Sequence, residues 1–72
     1  MLSNNIKWLI KDREISQKKL AEQVFVHVNT VQRWCSGETE PHASDLYRLS
    51  KYFGISMESL MQDDYERFDR YK

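Results

Sequence analysis

Two short amphipathic segments, set almost end to end between Ser16 and Gly37, constrain this chain more than anything else in it. In the first, Ser16 stands where a helix N-cap is wanted, and Leu20, Ala21 and Val24 fall on one face. In the second, Val31, Trp34 and Cys35 share a face and Gly37 supplies the stop. Only the few residues around Phe25 to His27 separate the two. Helices this short, joined this tightly, can bury both apolar faces in one core only by crossing steeply. That is the geometry of a helix-turn-helix, whose second helix can enter a DNA major groove.

The rest of the chain supplies the remaining walls of the core. A first helix is expected to start after Ser3, Asn4 or Asn5 and to end near Arg13, with Ile6, Leu9 and Ile10 as its buried stripe. The paired segments then form helices over about 17–24 and 28–36. The stretch GETEPHAS, which holds the only proline, reads as a polar loop. A fourth helix follows over about 43–53, with Leu46, Leu49 and Phe53 inward and Gly54 at its end. Ser56 opens a fifth, where Glu58 suits the helix dipole and Met57, Leu60 and Met61 face inward. Residues 63–72 either extend that helix, since Tyr65, Phe68 and Tyr71 keep its spacing, or fray. The reading is one domain over residues 1–62, a tail over 63–72, five helices and no strands.

Seventy-two residues lie near the lower limit for a core held by packing alone. One cysteine permits no intrachain disulfide, which suits a cytoplasmic location, and no apolar run is long enough to span a bilayer. The net charge is zero, whereas nucleic-acid binders usually carry an excess of positive charge. Its distribution is uneven: residues 1–36 hold six basic side chains against three acidic, and 37–72 hold five against eight. The basic half contains the paired segments. An enzyme is not expected, because there is no Ser/His/Asp set, no glycine-rich phosphate loop and no CxxC. Cys35, His27 and His42 fall short of the four ligands zinc normally takes, and Cys35 lies on a buried face. No metal, cofactor or small-molecule ligand is therefore expected.

Taken in register from Ile6 to Met61, a larger set of residues carries a resemblance. Ser16-Gln17, Leu20-Ala21, Val26, Thr30-Val31, Trp34, Gly37, Pro41, Leu46, Leu49, Gly54-Ile55-Ser56 and Leu60 together resemble the Cro/C1-type (XRE family) helix-turn-helix domain of phage repressors and bacterial regulators. The resemblance implies an all-α, compact five-helix, lambda-repressor-like DNA-binding domain. It implies a sequence-specific transcriptional regulator, repressor-like, that reads double-stranded DNA with the helix over about 28–36. On a helical wheel, Val28, Asn29, Gln32, Arg33 and Ser36 fall opposite the buried face. Arg33 suits guanine, Asn29 or Gln32 adenine, and Val28 a thymine methyl. Gln17, Lys18, His27 and Ser36 are the expected phosphate contacts, with Lys19 and Arg13 as further cations. Family members usually dimerise, so a homodimer through Met57, Met61, Tyr65 and Phe68 is expected. The alternative is a protein-binding module of the same fold, such as an antitoxin or an anti-repressor partner, which the acidic Glu38 and Glu40 would suit.

Three departures from the family pattern make sharper expectations. Phe25 stands at the usual turn glycine, so either the turn is rebuilt to pack the ring or strain is accepted. His27 stands at the usual Ser or Thr N-cap, and imidazole should cap poorly, at a cost of about 1 kcal/mol. Ile10 and Cys35 replace a charged pair between the first and third helices. Losing one partner alone would cost about 3–5 kcal/mol, but losing both leaves an apolar contact between the two helices.

Overall fold

The structure, a computed structural model, describes residues 2–62. Five helices follow one another: α1 over Leu2–Asp12, α2 over Gln17–Gln23, α3 over Val28–Ser36, α4 over Ala43–Phe53 and α5 over Met57–Leu60. No strand occurs among the described residues. The expected apolar stripes converge. Ile6, Leu9, Leu20, Val24, Val31, Leu49 and Leu60 are wholly enclosed, with Ala21, Trp34, Cys35, Leu46 and Phe53 beside them in one cluster. Ile10 packs against the margin of that cluster, on a helix that lies against α3.

Helix α1 departs from the expected start. It begins at Leu2, so Asn4 and Asn5 lie inside it rather than capping it. Asn5 is buried instead, and its Nδ2 donates to the carbonyls of Leu60, at 2.6 Å, and of Gln62. An amide buried there without partners would cost about 1–3 kcal/mol. With them it clasps the first helix to the last. Met57 is half-buried against the core while Met61 is 57% exposed, so of the methionines expected to face inward only Met57 does. Tyr65, Phe68 and Tyr71 lie outside the described residues.

The first four helices are closed by left-handed residues. Beyond α1, Glu14 takes φ 54° and the Ile15 N–H returns to the Ile10 carbonyl. Beyond α2, Phe25 takes φ 63° and the Val26 N–H returns to the Ala21 carbonyl. Gly37 (φ 82°) and Gly54 (φ 72°) do the same work after α3 and α4. Phe25 is 82% exposed, so the turn was not rebuilt to pack the ring. Strain is accepted, on the order of 1–2 kcal/mol for a side chain in this region.

A side-chain network braces that turn. The Arg48 Nε donates to the Val24 carbonyl at 2.8 Å, one residue before Phe25. The same guanidinium pairs with the buried Asp45 carboxylate at 2.6 Å, and Asp45 also accepts the His42 N–H at 3.0 Å. The start of α4 is thereby pinned to the end of α2.

Candidate nucleic-acid interface

The start of α3 is fixed by a residue expected to do it badly. His27 is extended (φ −73°, ψ 150°), and its Nδ1 accepts the Asn29 N–H at 3.1 Å. The expected loss of the cap is therefore not incurred. A ring that accepts at Nδ1 carries its proton on Nε2 when neutral, which leaves an exposed donor at the helix entrance. At the other end the Gly37 N–H donates to the Trp34 carbonyl and the Glu38 N–H to the Arg33 carbonyl, at 3.2 and 3.0 Å. These paired bonds stop the helix abruptly.

Between the two ends, burial separates the faces as the wheel predicts. Val31, Trp34 and Cys35 are buried, while Asn29, Gln32, Arg33 and Ser36 are exposed. Those four, together with Glu38, line a shallow open groove of about 460 Å³ along the outer side of α3. Val28, the fourth expected base reader, is not among the groove residues and packs partly against the core. The groove thus holds amide and guanidinium donors, a hydroxyl and one carboxylate, all attached to a single rigid helix and its stop.

The expected phosphate contacts are more scattered. Lys18 and Lys19 are exposed on α2, whose first turn is capped by Ser16 Oγ accepting the Lys19 N–H at 2.9 Å. Gln17 is half-buried and hydrogen-bonds the Cys35 thiol. Burial pushes that thiol up from its ordinary range, while the Lys7 ammonium and the Gln17 bond pull it partly back. The Ser36 hydroxyl donates to the Arg33 carbonyl at 3.1 Å and accepts the Glu38 N–H at 3.4 Å. Arg13 is exposed but engaged: it donates to the Phe53 carbonyl at 3.2 Å, stacks over the Phe53 ring at 5.6 Å and lies 3.5 Å from the Asp12 carboxylate. It joins α1 to the end of α4.

Two contributors were not anticipated. Arg48 and Asp45 hold the turn ahead of α3, and their i, i+3 spacing was the available signal. Glu38 appeared in sequence as an acid that would suit a protein partner, yet it lines the same groove as Asn29, Gln32 and Arg33. Among the described residues no group of three or more His, Cys, Asp or Glu comes together, and no helix is long and apolar enough to cross a membrane.

Comparison with known proteins places this geometry. The helix-turn-helix family model matches residues 6–60. The crystal structure of the P22 c2 repressor in complex with synthetic operator 9T superposes with a TM-score of 0.82 at 30% identity, covering 89% of this chain and 97% of that one. The HTH-type transcriptional activator BcrR of Enterococcus faecalis is 26% identical over 62 residues, 86% of this chain and 30% of the relative. The cryptic phage CTXphi transcriptional repressor RstR of Vibrio cholerae is 26% identical over 69 residues, 96% of this chain and 62% of the relative. The chain thus spans less than two thirds of the length of either curated relative.

Proposed function

The chain belongs to the helix-turn-helix family of Cro/C1 (XRE) type, and we propose that it is a transcriptional regulator reading duplex DNA in the major groove with α3. One observation carries the reading: Asn29, Gln32 and Arg33 stand side by side on a polar groove, on a helix whose ends and buried face are fixed. Arg33 takes guanine and Asn29 or Gln32 takes adenine through paired hydrogen bonds. Val28 lies at the edge of this face, where its exposed part suits a thymine methyl. Gln17, Lys18, His27 and Ser36 supply phosphate contacts that set the register without reading sequence. Glu38 and Glu40 add negative charge near the duplex, so the salt dependence should be shallow for a protein of this type.

A single domain of this size covers one half-site. Two copies joined through the exposed Met61 and the tail residues Tyr65 and Phe68, with Met57 at the margin, would present two copies of α3 about one helical turn of DNA apart. The P22 c2 relative is a repressor in complex with a synthetic operator and BcrR is an activator, so the likeness is to regulators of both signs. The chain is proposed to act in the cytoplasm, where the DNA lies, without catalysing a reaction.

Selection of bound duplexes from a random pool, followed by binding assays on the selected site, tests the proposal. Arg33→Ala should lose about 1–3 kcal/mol of discrimination at one base pair. Gln17→Ala should weaken all sequences alike. Were neither change to weaken binding at moderate salt, the domain would be a protein-binding module instead. Sedimentation with and without the selected site tests the dimer, and an uninterrupted selected half-site with a monomer bound to it would refute it.

A further inference from the structure

Glu38 is the one acid in the groove beside Arg33, and its place there is built rather than incidental. Gly37 turns left-handed, and the Glu38 N–H then returns to the Arg33 carbonyl at 3.0 Å and to the Ser36 hydroxyl at 3.4 Å. The backbone of Glu38 is therefore held against the C-terminal half of the reading face. Neither its carboxylate nor the Arg33 guanidinium enters an ion pair among the described residues, so both are available to a ligand. Of the other groove residues, Asn29, Gln32 and Ser36 can donate or accept and Arg33 only donates. The Glu38 carboxylate is the one groove group that, when ionised, only accepts.

In the major groove one base presents only a donor among its hydrogen-bonding groups. Cytosine offers its N4 amine, while guanine offers only acceptors and adenine and thymine offer an acceptor each. We propose that Glu38 is a specificity-determining residue that accepts from a cytosine N4 amine, next to the guanine taken by Arg33. The pair of residues would then read a G·C-rich step, one from each kind of edge. This rests on the major-groove reading of α3 and extends it from the helix into its stop. The acid also discriminates negatively, because a carboxylate against guanine O6 or N7 sets acceptor against acceptor.

Parallel selections from a random duplex pool with the full-length wild type, Glu38→Ala, Glu38→Gln and Arg33→Ala test the assignment, with helical circular dichroism checking that each is folded. The wild type should require cytosine at one position. Glu38→Ala should relax that position by about tenfold or more while leaving the guanine preference in place. Glu38→Gln, able to donate as well as accept, should widen the position to include adenine. If instead both Glu38 variants select the same sequences as the wild type and bind all duplexes more tightly, Glu38 only repels phosphate and the assignment is overturned. The Arg33→Ala selection keeps the two claims apart. A guanine position lost on Arg33→Ala, with Glu38→Ala unchanged from wild type, overturns the role of Glu38 and leaves the groove reading standing. A wild type that selects no sequence overturns both.

Discussion

The ends of α1 and α2 reach the same backbone conformation as the ends of α3 and α4, but with different residues. Glu14 and Phe25 take φ 54° and 63°, where Gly37 and Gly54 take 82° and 72°. Glycine enters this region freely, whereas a side chain there is strained. Both ends without glycine lie next to a long-range arginine bond, and the glycine end of α4 shares one of the two. Arg13, beside Glu14, reaches the Phe53 carbonyl, and Arg48 reaches the Val24 carbonyl just before Phe25. The end of α3, by contrast, closes on bonds to Arg33, Trp34 and Ser36 of its own helix. Each turn that lacks a glycine thus has a distant arginine contact beside it, although such a contact is not confined to those turns.

The largest test removes such a bond. Arg48→Met keeps the aliphatic stem but leaves the Val24 carbonyl without its donor and the Asp45 carboxylate buried without its cation. The expected loss is about 2–3 kcal/mol, read as a lower urea midpoint at unchanged slope. A variant as stable as the wild type would break the comparison, since the turn would then stand without the brace. Gly54→Ala probes the opposite class of end. A Cβ built at Gly54 meets nothing within 4 Å, so the expected cost of about 1 kcal/mol is backbone strain alone.

Phe25→Gly should act with the opposite sign, raising stability by about 1 kcal/mol because the ring is exposed and its removal relieves the turn. A lowered midpoint would mean that the ring makes contacts outweighing its strain. The smallest effect is expected from Glu14→Asn, a gain of about 0.5 kcal/mol. Asparagine tolerates the left-handed region, and the change removes an acid from the negative end of α1. Thermal midpoints of the two variants, measured together, grade the strain of an aromatic against that of a glutamate.

What could be read from the residues followed the range of the interaction involved. Local spacing located α2 and α3 to within a residue, and the buried faces of Leu20, Val24, Val31 and Trp34 with them. The exposed face of Asn29, Gln32 and Arg33 came from the same periodicity. Bonds between distant residues left no such trace. Asn5 looked like a cap because asparagine before an apolar stripe usually is one, and its true partners stand 55 and 57 residues away. Arg13 read as a surface cation and is exposed, but nothing in its surroundings signalled its bond to Phe53, 40 residues on. His27 was misjudged for a different reason: imidazole is a poor cap on average, but a ring nitrogen in the right rotamer accepts as a hydroxyl does. Val28 sits on the border of its wheel sector, where a few degrees decide between groove and core.

The Asn5 clasp has a mechanical meaning. Residues 5 and 62 are joined by one side chain, so the folded unit is a loop closed near its two extremities. Tension applied at those extremities falls first on the two Asn5 bonds and the α1–α5 contact, and reaches the reading helix only after they part. Under a pulling force Asn5 therefore acts as a fuse between the two extremities of the fold.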